Sequence, residues 1–350
     1  MWQQLFKLNK TERAWHLPIV AGLCVAIPLL LGLVYNDIEA GKLASIGALV
    51  ILYIQSNSLV NRMMILMVCG FGFILSFAVG VVFSFNVWVT PLILSLYTFS
   101  VHYALNRLKL LKPPGNFFFI MVTSIAISIP HNQANIASSL GNFSLGVLIA
   151  CMIALLYSIV VLKGNNRPDV MVLQKNSYIN ITESIIFGLT VGLSLLTAIL
   201  LKLENPYWVP ISCMAVMQGG TTKHIWIRAT QRVLGTLIGL GLTWFILQMN
   251  ISVLGICISI FLLQTIVEFL VVRNYGIAVI FISMLTIFLA EANTTLIAQP
   301  NHLITARFFD ILIGSLIGVA GGWLLYHEQV HFFTRKQLLK TKMIIRKLKF

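Results

Sequence analysis

Ionisable side chains inside long apolar stretches are the residues of this sequence best placed to do chemistry. A charge at membrane depth costs about 3 kcal/mol on insertion scales and needs a partner or a water-filled cavity. Eight such residues, Glu183, Arg228, Arg232, Glu268, Arg273, Glu291, Arg307 and Asp310, concentrate in the second half of the chain. A guanidinium grips a carboxylate through two parallel hydrogen bonds, which an ammonium cannot reproduce. Arg228, Arg232, Glu268 and Arg273 at one end, with Arg307 and Asp310 at the other, could therefore line two ends of one route for an anion. The plainer reading is snorkelling, because most of these residues lie within about a turn of a predicted helix end, and Arg307 with Asp310 forms an i,i+3 pair. Tyr207 and Trp208 could stack on an aromatic ligand or, with Trp226, form an interfacial aromatic belt.

A second constellation points elsewhere. His327, Glu328, Gln329, Val330 and His331 spell H-E-x-x-H, which on a helix would put two imidazoles on one face beside a general-base Glu. A zinc peptidase needs a third protein ligand, and no Asp, Glu, His or Cys follows His331. The five cysteines sit in apolar runs without CxxC spacing and read as small packing residues. No cofactor or metal is expected.

The elements that must position these residues follow from composition. Of 350 residues, 58% are apolar and 10% charged, and the mean hydropathy is +0.92. A soluble chain averages about 25% charged residues, so most of this one belongs in a lipid bilayer. The pattern predicts an all-α membrane protein with about twelve transmembrane helices, near 17–35, 43–60, 63–84, 87–105, 117–130, 138–163, 181–201, 206–222, 229–248, 251–271, 275–291 and 303–326. With a cytoplasmic N-terminus, only Lys42, Lys202 and Arg307 of the 24 basic residues fall outside. That bias predicts both termini in the cytoplasm of a multi-pass cell-membrane protein, with 36–42 and 292–302 facing outward. The net charge of +14 is then topological and no nucleic-acid partner is expected. No cleavable signal is expected, because the first apolar run lacks a small-residue cleavage site.

The halves repeat. Gly22–Leu30 (GLCVAIPLL) and Gly188–Leu196 (GLTVGLSLL) match at five of nine positions at an offset of 166, which also aligns Arg62 with Arg228 and Arg107 with Arg273. An even number of spans per copy makes these two parallel six-helix repeats. The chain divides into an N-terminal segment 1–16, a first repeat 17–163, a cytoplasmic linker 164–180, a second repeat 181–326 and a tail 327–350. In each repeat the second span breaks early, at Gln55–Ser58 and at Gln218–Thr222. Short interrupted spans at matching positions point to a transport site, the alternative being a polar loop around an ordinary tilted helix. The offset also pairs Glu268 with His102, two titratable groups that could face each other and carry protons. Gly235-x-x-x-Gly239 and Gly314-x-x-x-Gly318 predict close helix packing. The tail's seven basic residues among apolar ones predict an amphipathic helix on the anionic inner leaflet.

Four stretches, NPYWVPISCMAVMQ from Asn205, RATQRVLGTLIG from Arg228, VVRNYGIAVI from Val271 and ARFFDILIGSLIG from Ala306, resemble the integral-membrane domain of the fusaric acid resistance (FUSC) and aromatic acid exporter family. The likeness covers roughly 180–326, and the first half looks like a diverged copy. The resemblance implies efflux of organic, often aromatic, carboxylic acids. It places Arg228, Arg232, Arg273, Tyr275, Arg307 and Asp310 on motif positions. For larger exporters of this kind the resemblance implies a cytosolic domain, which is not expected within these residues, and its role is then open to a membrane-fusion or cytosolic partner. The leading expectation is thus a transporter for small organic anions, not an enzyme. Its substrate-binding or gating candidates are Arg307, Asp310, Arg228, Arg232, Arg273, Tyr275, Tyr207, Trp208 and Gln218, with Glu268 and His102 for proton coupling. Behind it stand a passive anion channel, a membrane assembly or scaffold protein, and last a zinc peptidase through His327, Glu328 and His331.

Overall fold

The computed structural model describes residues 9–11, 13–54, 58–107, 114–162, 179–249, 252–291 and 300–327. Twelve α-helices run through them: α1 Leu17–Val34, α2 Ile38–Ala48, α3 Leu59–Val82, α4 Thr90–Arg107, α5 Phe117–Ile127, α6 Gln133–Val161, α7 Ile179–Leu200, α8 Trp208–Met217, α9 Thr222–Leu247, α10 Val253–Leu270, α11 Tyr275–Glu291 and α12 Pro300–Leu325. No strand occurs among the described residues. Seven helices, α1, α3, α6, α7, α9, α10 and α12, are long and apolar enough to cross a membrane, while α5, α8 and most of α11 are apolar but shorter. The long helices turn large apolar side chains outward, among them Met67, Phe71, Met152, Leu193 and Phe245. An outer face of Leu, Met and Phe suits lipid and not water, so the chain is an all-helical, multi-pass membrane protein.

Local chemistry sets the helix ends. The Asp37 side chain accepts from Ala40 N at 3.0 Å to open α2, and Ser252 from Gly255 N at 3.2 Å to open α10. Caps of this kind contribute about 1 kcal/mol each. Helices α1 and α7 finish alike. Asn36 (φ 56°) and Lys202 (φ 53°) adopt the left-handed conformation, and the next residue's N–H donates back, Asp37 to Gly32 O at 2.8 Å and Leu203 to Ala198 O at 3.1 Å. Such a closure satisfies carbonyls that a helix end otherwise leaves open.

Two expected boundaries move. Helix α9 begins at Thr222 rather than near 229, because Thr221 caps it by accepting from His224 N at 3.3 Å. Arg228 and Arg232 therefore sit inside the helix and not in a connecting segment. Lys42 lies within α2, not in an outer loop. Most of the linker 164–180 and the tail beyond His327 lie outside the described residues, as do Glu328 and His331.

Helix pairs recur in the packing: α1 rests on α10 and α4 on α7, α2 on α6 and α8 on α12, α3 on α5 and α9 on α11. Glycines permit the closest approaches. A Cβ on Gly22 would lie 2.9 Å from Phe261 O, and one on Gly188 2.8 Å from Ser95 O. The GxxxG expectation holds, since Gly235 and Gly239 press on α11 and Gly314 and Gly318 on α8.

Candidate functional site

Helix α8 is short and enclosed, with all ten residues buried. At 1.5 Å per residue it spans about 15 Å, half of a hydrocarbon core of about 30 Å. Helix α2 continues into a 3-10 turn, Leu49–Tyr53, and Leu49 to Ile54 are likewise all buried. Both interrupted segments are thus interior elements, not lipid-facing helices with polar loops. They help enclose a cavity of about 1190 Å³, whose walls also come from α4, α5, α7 and α9–α12.

Three of the charged groupings that line this cavity hold the expected site residues. In the first, the Arg228 guanidinium lies 4.2 Å from the centre of the Tyr275 ring and its Nε donates to Ala215 O at 3.1 Å. Beside it, Arg232 Nε donates to Ser212 Oγ at 2.9 Å and Nη1 to Tyr275 Oη at 3.3 Å. In the second, Arg307 on α12 lies 3.0 Å over the Trp208 ring and donates through Nη2 to Thr286 Oγ1 at 2.8 Å. The glycines explain this meeting: a Cβ on Gly314 would stand 2.7 Å from Ser212 Cβ, so its absence lets α12 lie directly on α8. In the third, Glu268 is ion-paired with Arg13, Nη2 to Oε2 at 2.7 Å.

Snorkelling fails for the central arginines. Arg232 and Arg307 are 6% and 3% exposed, and Trp208 is buried at 4% in the cavity wall rather than in an interfacial belt. Trp226 is 54% exposed. Asp310 is fully buried one turn beyond Arg307 but does not line the cavity. Arg273 also stands apart: it lies 3.5 Å over the Phe269 ring, donates to Phe269 O at 2.7 Å, and lines a second cavity of about 270 Å³. Gln218, Arg228 and Tyr275 line both cavities, and Tyr207 the larger one. Glu268, expected to face His102, pairs instead with Arg13. His102 shares the large cavity with Glu268 yet is engaged locally. Its Nδ1 receives Asn106 Nδ2–H at 2.8 Å, lies 2.9 Å from Ser184 Oγ, and its ring stacks on Phe187 at 4.6 Å.

The lining residues that the sequence does not mark include Arg13, Lys42 and Thr286. In the sequence Arg13 and Lys42 read only as topology charges, and nothing distinguishes Thr286 from other hydroxyls in apolar runs. Among the described residues no three His, Cys, Asp or Glu gather as a metal site. All five cysteines are free and at least half-buried, as packing residues should be.

Comparison with known proteins places the second half. Residues 189–321 match a family model described as fusaric acid resistance protein-like. An uncharacterized membrane protein, YvaC of Bacillus subtilis (strain 168), is 33% identical over 159 residues, 43% of this chain. The match spans 23% of that relative, less than a quarter of its length. No solved structure matches the chain. The long apolar helices, the buried arginines on α9 and α12 and the family match coincide in one stretch: this is a multi-pass membrane protein in which residues 189–321 are similar to the fusaric acid resistance protein-like family.

Proposed function

We propose that this chain exports small organic anions, aromatic carboxylates foremost, through the large cavity between two six-helix repeats. The observation that carries the reading is the cavity itself, in which Arg228, Arg232 and Arg307 stand beside the aromatic faces of Tyr275 and Trp208. Guanidinium groups supply the carboxylate partner, and the aromatic faces supply stacking surface for a ring. Neither group meets the anion in bulk water, so each contact counts for more than on a surface.

The twelve-span, two-repeat architecture is part of the proposal. It is supported by the matched left-handed residues Asn36 and Lys202, and by Gly22 and Gly188, each seated on the fourth helix of the other half. Cytoplasmic termini follow from the basic residues, and the inner membrane is then the site of action. An inside-negative potential drives export of a monovalent anion by about 2.3 kcal/mol per 100 mV. Passive anion conduction is the second reading, favoured by the Arg13–Glu268 pair, which gives this carboxyl a structural partner.

The deciding measurement is efflux from proteoliposomes loaded with benzoate-like or aliphatic acids, with and without an imposed potential. Saturable efflux that prefers aromatic acids supports the exporter. Non-saturating flux points to the channel, and no flux of either acid overturns both.

A further inference from the structure

Lysine 42 has no role in the reading above, yet its setting is unusual for a lysine. It is 5% exposed, and it lines the large cavity together with Arg307, Trp208 and Thr286. Its Nζ is held 3.0 Å from Oε1 of Glu39, one turn back on α2, whose side chain is 67% exposed. A lysine wanted only for topology would extend its flexible stem to water. This one is turned into the wall. Helix α2 is fixed in place on two sides: a Cβ on Gly41 would lie 3.1 Å from Gly32 Cα of α1, and one on Gly146 of α6 would meet the Ala44 carbonyl. On a further side α2 packs against α11, which carries Thr286. The ammonium is therefore presented from a rigid element, as a binding group requires.

The 166-residue offset sharpens the point. Position 42 corresponds to position 208, so Lys42 occupies in the first half the place that Trp208 occupies in the second. Trp208 carries Arg307 on its ring, and its Nε1–H is buried without a hydrogen-bond partner. The cavity thus has a cation from each half near the start of its short second helix: Lys42 directly, and Arg307 by way of Trp208. Resting on the proposed transport of organic acids, we propose that Lys42 is a second anion-binding residue of the cavity. Paired with Arg307, it favours acids that carry two ionised groups over those with one carboxylate. Glu39 then serves as a resident counter-ion that holds the ammonium until an anion replaces it.

The test is titration calorimetry on the purified full chain with benzoate and isophthalate, alongside proteoliposome efflux of both. Lys42→Gln should weaken isophthalate binding by about tenfold or more and benzoate binding by less than about threefold, the loss of one charged hydrogen bond. Lys42→Arg should restore isophthalate. Glu39→Gln separates binding from mere structure: removal of a competing carboxylate tightens isophthalate binding, whereas loss of a structural ion pair would reproduce the Lys42→Gln defect. Equal losses for both acids, no loss, or matching defects in Lys42→Gln and Glu39→Gln overturn the proposal. Wild-type protein that binds isophthalate in this Lys42-dependent way but moves neither acid refutes the transport reading and leaves the site standing. Wild-type protein that binds neither acid refutes both.

Discussion

Replacing Arg307 with lysine keeps the charge and removes the shape, which makes it the sharpest probe of the cavity. In the structure the guanidinium does two things at once, its carbon standing 3.0 Å from the centre of the Trp208 ring and its Nη2 donating to Thr286 Oγ1 at 2.8 Å. A desolvated cation–π contact is worth up to about 2 kcal/mol and a hydrogen bond to a charged group about 1.5–3 kcal/mol. An ammonium keeps attraction to the ring and can keep one donor, so roughly half of the total is lost, about 2 kcal/mol. At 1.4 kcal/mol per decade this is a decrease of roughly thirtyfold in transport efficiency. Arg307→Lys should still insert, because burial of a cation at this site is retained. The assay is efflux of a benzoate-like acid from proteoliposomes, normalised to inserted protein, across a range of substrate concentrations. Trp208→Phe should show a smaller defect, since it keeps a ring beneath the guanidinium. Wild-type efflux by Arg307→Ala would remove this residue from the route and refute the reasoning.

Glu268→Gln breaks the pair with the partly exposed Arg13, and is expected to lower stability by about 1–3 kcal/mol once solvent screening is discounted. The pH profile of efflux by the surviving protein should not change. A profile flattened by the substitution would instead make Glu268 the proton carrier. Gly314→Ala puts a Cβ 2.7 Å from Ser212 Cβ and should cost about 1–3 kcal/mol by overpacking, read as a lower thermal midpoint in detergent. Tyr275→Phe should leave the stack under Arg228 but lose the hydroxyl that Arg232 donates to, giving a milder efflux defect than Tyr275→Ala. In a cysteine-free background, Lys202→Cys, exposed at the end of α7, should label from outside intact cells, whereas Arg107→Cys should label only after permeabilisation. Reversed labelling would overturn the orientation.

Much of the fold is legible in the sequence because lipid imposes a blunt rule, long apolar helices broken by polar turns. The early breaks after residues 54 and 217 also stand out, since Gln, Asn, Gly and Ser cannot extend an apolar run. Helix starts are less legible. Thr222–Arg232 reads as a basic connecting segment, and only the Thr221 cap reveals that the helix has already begun. Of the site, Arg228, Arg232, Arg307, Tyr275 and Trp208 could be picked out in advance because a charge or a motif marks them. Lys42 and Arg13 could not. A basic residue near a helix end looks the same in sequence whether it meets water or turns inward, and the difference lies in neighbours hundreds of residues away: Arg13 finds Glu268, 255 positions on. Arg273 is near Glu268 in the sequence, but it lies back on Phe269 from the turn that follows α10.

On the proposed two-repeat architecture, the seams formed by Gly22 on α10 and by Gly188 on α4 have a consequence for ancestry. A six-helix unit that offers its first helix to another unit's fourth, and its fourth to the other's first, is self-complementary. Two identical copies would close on each other through one contact made twice, as in a two-fold symmetric dimer. Joining the copies in a single chain lifts the requirement that facing positions be the same residue. Lysine at 42 and tryptophan at 208 are a difference that a homodimer could not encode. On that proposed architecture, fusion lets position 42 keep a charge while position 208 keeps a ring.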